Sequence, residues 1–115
     1  MAPKPDPRLD ATGQPSELEV ALSAGWFEGE GTVGKMTQIK VSQKGRWLLE
    51  KLRDWWGGGI YRLSRRSAAE GRVYDVSIFA WCVTGGRARK FAQSIYGRVS
   101  PKRQAQLMRL FPEVF

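Results

Sequence analysis

Two glutamates separated by one glycine, Glu28 and Glu30, close a helical stretch whose other side chains are small or apolar, Leu22-Ser23-Ala24-Gly25-Trp26-Phe27. Carboxylates are hard oxygen ligands suited to Mg²⁺ or Mn²⁺, and Mg²⁺ keeps waters and bridges to phosphate oxygens. Negative charge at a helix C-terminus opposes the macrodipole, so two acids there need a reason beyond helix stability. Ala21, Gly25 and Gly29 recur every four residues. One stripe of the helix is therefore almost bare and open to close approach by another backbone. Two such helices side by side bring two carboxylates together, an arrangement that becomes favourable once divalent cations lie between them. The alternative is that the stripe packs inside one chain and both acids are solvated at the helix end.

Composition narrows the partners. The chain has 19 Lys/Arg against 11 Asp/Glu, a net charge of +8, and the excess is concentrated after residue 43. Such a potential favours polyanions through counterion release, which makes nucleic acid the leading partner; a basic surface that only solvates a small fold is the plainer alternative. Cys82 is the sole cysteine and histidine is absent. One chain therefore builds no disulfide framework, zinc finger or histidine-based hydrolase site. Cys82 itself reads as a buried small hydrophobe. No apolar run has the length of a membrane span, and the opening Met1-Ala2-Pro3-Lys4-Pro5-Asp6-Pro7 lacks the core of an export signal. The expectation is a cytoplasmic, unexported protein without a membrane partner or a small-molecule cofactor. At 115 residues it is one small domain, able to bury roughly 60–70% of its unfolded surface.

The elements that must hold the acids follow from periodicity. Residues 1 to 15 contain four of the six prolines and read as a flexible arm, leaving 16 to 115 as the domain. Ser16-Glu17-Leu18-Glu19 has the form of a capping box and opens a helix over residues 17 to 29. Short strands are predicted over 32 to 35 and 37 to 42, the second placing Gln38, Lys40 and Ser42 on one face. A helix follows over 44 to 56 with Trp47, Leu48, Leu52, Trp55 and Trp56 at helical spacing, stopped by Gly57-Gly58-Gly59. Strands over 60 to 66 and 72 to 83 form a hairpin through residues 67 to 71, with Arg62, Ser64 and Arg66 opposite in face to Tyr61 and Leu63. Thr84 caps a third helix with a core stripe of Ala88, Phe91, Ala92 and Ile95, ending near Gly97. Ser100-Pro101 starts a fourth, with Gln104, Ala105, Met108 and Phe111 on one side. The order is α-β-β-α-β-β-α-α, an α+β fold.

Ala24-Gly25-Trp26-Phe27-Glu28-Gly29-Glu30-Gly31 resembles the core signature of the LAGLIDADG homing endonucleases, with Ser23 where that family usually has leucine. The resemblance spans roughly residues 18 to 110. Val41-Ser42-Gln43-Lys44 with Arg46-Trp47-Leu48-Leu49-Glu50-Lys51-Leu52 looks like the family's strand exit and second helix, and Lys102-Arg103-Gln104-Ala105 like its basic segment in the last helix. The resemblance implies a four-stranded antiparallel saddle sheet covered by helices on one face. A single motif implies a homodimer through Ala21, Gly25, Glu28 and Gly29, cutting a pseudo-palindromic double-stranded DNA site with Mg²⁺ or Mn²⁺ and leaving a staggered break, as in intron or intein mobility.

By the same resemblance Glu30 is the metal ligand and the Gly29 carbonyl adds an oxygen. Glu28 either orients the helix end or the neighbouring subunit, or is simply a solvated acid. Gln43 matches a polar position beside the attacking water, with an exposed strand-end glutamine as the alternative. The family's active-site lysine falls at Pro101, so its role passes to Lys102 or to Lys44, or is unfilled. The expected DNA face carries Lys35, Gln38, Lys40, Lys44, Arg62, Ser64, Arg66 and Arg72, joined by Asp75 and Ser77; in a major groove Arg reads guanine and Gln adenine, while any single one of these residues reads first as a solvated strand residue or a phosphate contact. Tyr61, Tyr74 and Trp81 are assigned to packing. Only eleven residues separate Gly31 from Gln43. That first hairpin is short for the family and points to a shorter site, or to a lineage that kept the fold as a non-cleaving regulator or maturase.

Overall fold

A computed structural model describes residues 14–69 and 72–115, with the backbone alone described over 64–69 and 72–77. Most of the expected N-terminal arm, residues 1 to 13, lies outside the described residues. The fold is α+β, with a four-stranded antiparallel sheet and four helices.

Ser16 opens α1 (Glu17–Glu30) by the capping box read from the sequence: its hydroxyl accepts from the Glu19 N–H at 3.2 Å, and the Glu19 carboxylate accepts from the Ser16 N–H at 2.8 Å. The helix passes without a loop into β1 (Gly31–Gly34). A Cβ on Gly31 would stand 2.2 Å from the Phe27 ring, so the junction admits only glycine. The turn at residues 35 to 37 leads to β2 (Gln38–Gln43), followed by α2 (Trp47–Trp56). Gly57 and Gly58 end that helix at φ +80° and +90°. A Cβ on Gly58 would also press on the Cys82 carbonyl at 2.5 Å. The hairpin of β3 (Gly59–Ala69) and β4 (Arg72–Val83) is longer than predicted, drawing residues 67 to 69 out of the expected loop and into the strand. Next come α3 (Gly85–Ile95), a 3₁₀ turn (Tyr96–Arg98) and α4 (Pro101–Leu110).

The sheet order is β1-β2-β4-β3. Ile39, Val41, Trp81 and Val83 meet Ala24 and Phe27 of α1, Leu49, Leu52 and Trp56 of α2, and the predicted stripe Ala88, Phe91, Ala92 and Ile95 of α3. Phe91 is central, with ring centroids 6.0 Å from Phe27, 5.0 Å from Trp56 and 5.2 Å from Trp81. Full burial of such a side chain contributes about 1.5–3 kcal/mol. Ser23, fully buried, is satisfied on both sides: it donates to the Glu19 carbonyl at 2.7 Å and accepts from Trp56 Nε1 at 2.8 Å.

Three local expectations are corrected. Thr84 occupies the N-cap position of α3, but its side chain makes no cap bond. The first N–H of the helix, that of Gly85, donates to the Thr37 hydroxyl of the β1–β2 turn at 3.2 Å. In α4 the inward face is Leu107 and Phe111, while Ala105 and Met108 are exposed, because the adjacent pair Leu107-Met108 leaves the stripe's phase ambiguous until α4 docks. Cys82 is not buried; it is half-exposed on the sheet face away from the helices.

Candidate functional site

Glu30 is the last residue of α1 and is exposed. The register Gly31↔Val41 sets the exit of α1 beside the exit of β2. Glu30 therefore shares one open cleft of about 350 Å³ with Ser42, Gln43, Lys44 and Ile78. A carboxylate, an amide, a hydroxyl and an ammonium thus converge from residues far apart in sequence. These oxygen donors suit a hard divalent cation that keeps most of its waters. Among the described residues there is no group of three or more His, Cys, Asp or Glu that could hold a metal ion. Lys102 does not line the cleft; the lysine that does is Lys44.

Glu28 has a different employment. Its carboxylate accepts from the Ser100 N–H at 2.5 Å and the Ser100 hydroxyl at 2.9 Å, with Arg103 Nε 3.6 Å away. The Ser100 amide, followed by its hydroxyl and the charges of Arg103 and Lys102, holds this carboxyl below the usual carboxylate range against some desolvation. An acid at the end of α1 is thereby an acid at the start of α4, where the macrodipole favours it. That accounts for one of the two glutamates; Glu30, by contrast, is exposed and makes no hydrogen bond or ion pair among the described residues. Truncating Glu28 to alanine leaves the Ser100 N–H short of its acceptor and is expected to cost about 1–3 kcal/mol. Ser100→Ala should cost about 1 kcal/mol. The double variant, compared by urea denaturation, should cost less than the sum, since both remove one contact.

The bare stripe of α1 faces outward. Gly25 and Gly29 are exposed, and a Cβ on either would meet nothing within 4 Å. Leu18 is 69% exposed and Leu22 40%, on the same side. Packing inside the chain is thus not what these glycines serve. Beside the stripe, Trp26 stacks on Trp55 at 5.6 Å and meets Trp47 edge-on at 6.2 Å, with Trp47 69% exposed. This aromatic shoulder was not singled out from the sequence, where Trp26 read as one more residue of the small-residue helix. Ser100 and Arg103 were missed as partners of Glu28 because no local signal joins positions more than 70 residues apart.

The expected DNA face is divided by register. Lys40 pairs with Cys82, and Ser42 with Ala80, which pairs in turn with Tyr61. Gln38, Lys40 and Ser42 therefore share the helix-free face with Tyr61, and the Lys40 ammonium lies 5.8 Å from the Tyr61 ring centroid. Tyr61 is 39% exposed rather than packed in the core. Arg62 pairs with Phe79 on the row of Gln43, the opposite face. Alternation gives each strand two faces, but the pairing to β4 decides which faces join, and a shift of one residue exchanges them. Lys35 lies in the β1–β2 turn instead of on a strand. Ser64, Arg66 and Arg72 stand opposite Ser77, Asp75 and Ala69 in the hairpin, and their side chains, like those of Tyr74, lie outside the described residues.

Comparison with family models, curated proteins and solved structures finds no match. Among the described residues no helix is long and apolar enough to cross a membrane.

Proposed function

We propose that this chain is half of a homodimeric, divalent-metal-dependent DNA endonuclease of the LAGLIDADG type, making a staggered break in a pseudo-palindromic duplex site. The observation that carries this reading is the meeting of Glu30 with Gln43 and Lys44 in one cleft, at the end of a helix whose outward stripe is bare. A second copy across that stripe brings two Glu30 carboxylates together, and Glu30 with the Gly29 carbonyl would hold Mg²⁺ or Mn²⁺. The cation, when bound, supplies charge neutralisation at the scissile phosphate and a more acidic attacking water. Gln43, which lines the same cleft, would orient an attacking water by hydrogen bonding. Lys44 places a positive charge beside the phosphate, and Glu28 organises the end of α1. The helix-free sheet face, with Gln38, Lys40 and Ser42, meets the duplex, and the basic β3–β4 hairpin extends the contact.

Two measurements test the assembly. Sedimentation equilibrium should find two chains per duplex. Binding should weaken steeply with salt, and Lys44→Gln should flatten the plot of log K against log[salt] by about 1, one phosphate contact. A chain that stays monomeric and shows no salt dependence contradicts the proposal. The competing reading, a non-cleaving binding module on the same fold, is favoured by Pro101 at the position of the family lysine and by a first hairpin of only four and six strand residues. It predicts the same dimer and salt slope without strand breaks.

A further inference from the structure

The Gly31 N–H closes the last turn of α1 on the Phe27 carbonyl. Gly31 itself is extended, at φ −80° and ψ 151°, so no left-handed glycine turns back to bond the carbonyls that follow. The Glu28 carbonyl accepts instead from Arg103 Nε at 3.3 Å and Nη2 at 3.0 Å. The same guanidinium lies 5.0 Å from the Phe27 ring centroid and donates through Nη1 to Gln106 at 2.9 Å. At 14% side-chain exposure, Arg103 is a fixed group. In return the Glu28 carboxylate fills the start of α4 through the Ser100 amide and hydroxyl. Each helix end is thus capped by a side chain of the other, and the clasped peptide is the one joining Glu28 to Gly29. Glu30 follows immediately.

We propose that Arg103 and Ser100 are positioning residues for the Glu30 carboxylate: Arg103 fixes the Glu28–Gly29 peptide and Ser100 holds the Glu28 side chain, and together they set where the Glu30 side chain stands in the cleft. Neither lines the cleft, so they act through the backbone, as outer-shell groups do around a ligand. The inference rests on the metal-dependent reading above and assigns residues which that reading leaves unused. A merely structural arginine would stabilise the domain as a whole; a positioning one acts on the three residues of the α1–β1 junction.

The test uses the full chain as Arg103→Lys, which keeps the charge but cannot fork, and separately as Ser100→Ala, which covers the case that the first variant does not fold. Three quantities are read: Mn²⁺ affinity by electron paramagnetic resonance, DNA affinity in Ca²⁺, and amide hydrogen exchange. Arg103→Lys should bind Mn²⁺ about 10- to 100-fold more weakly, the usual cost of losing an outer-shell partner. DNA affinity should be unchanged. Exchange should quicken at Gly29, Glu30 and Gly31 and stay as in wild type through α3, and Ser100→Ala should shift both in the same direction by less. Wild-type Mn²⁺ affinity and junction exchange in both variants overturn the inference, as does a uniform rise in exchange across the domain. If the wild-type chain itself binds no Mn²⁺, the metal reading falls while exchange still decides the clasp: quickening confined to the junction sustains it, and no change refutes it.

Discussion

Glu30→Gln is expected to abolish strand cleavage while leaving folding, dimer formation and DNA binding intact. The substitution keeps size and hydrogen-bonding capacity but removes the formal charge that would hold a divalent cation. Glu30 is exposed at the end of α1, so the variant creates no cavity and leaves no buried group unpaired. If neutralisation at the phosphate supplies several kcal/mol, its loss slows the reaction about 10³-fold or more. The neighbouring acid gives the contrast: Glu28→Gln should act on stability, because Glu28 serves Ser100. Single-turnover cleavage assays beside denaturation curves separate the two. Equal losses of activity in both variants at unchanged stability would contradict the division of labour between these glutamates.

The second large effect is expected at Gly25. Leucine at this position meets no neighbour within the chain and is a better helix former than glycine, so the isolated monomer should be stabilised by about 0.5–1 kcal/mol. In a dimer packed on this stripe the added side chain is buried twice across the two-fold axis. Overpacking of about 1–3 kcal/mol per copy then raises the dimer dissociation constant roughly 30- to 10⁴-fold. A rise in monomer stability with a collapse of the dimer is a signature that a destabilising mutation does not give. The contact also has to be wider than the stripe. Fourteen residues make a helix about 21 Å long, whereas stable interfaces cover about 800 Å² per partner. In such a dimer the shoulder of Trp26, Trp55 and exposed Trp47 would supply the remaining apolar surface, and tryptophan fluorescence should report the association.

Much of this architecture was legible because the signals are local. The capping box at Ser16, the stop at Gly57 and Gly58, the stripe of α3 and the start of α4 at Ser100-Pro101 depend on residues within one turn of each other, and each lies where periodicity and capping chemistry place it. What was not legible depends on how elements dock. Strand alternation separated Arg62 from Tyr61 correctly, yet only the shared pairing to β4 shows that Tyr61, and not Arg62, joins Lys40. Thr84 has the chemistry of a cap but makes no cap bond, and the contact to the start of α3 comes from Thr37, 48 residues away. Leu107 and Met108 compete for the same inward direction until α4 settles. At the candidate site, the motif pointed to Glu30, and the strand exit to Gln43 and Lys44, while the role of Glu28 required the position of Ser100, which no spacing in the sequence reveals.

The central claim, that this chain cuts DNA through Glu30, is tested most directly by sequencing DNA ends after incubating the purified protein with DNA from its own genomic neighbourhood in Mg²⁺, with Ca²⁺ and Glu30→Gln in parallel. The account predicts discrete paired breaks, offset between strands about a two-fold centre, present only with Mg²⁺ and wild-type Glu30. Tight dimeric binding that leaves every end intact, or breaks that persist in Glu30→Gln, would contradict it.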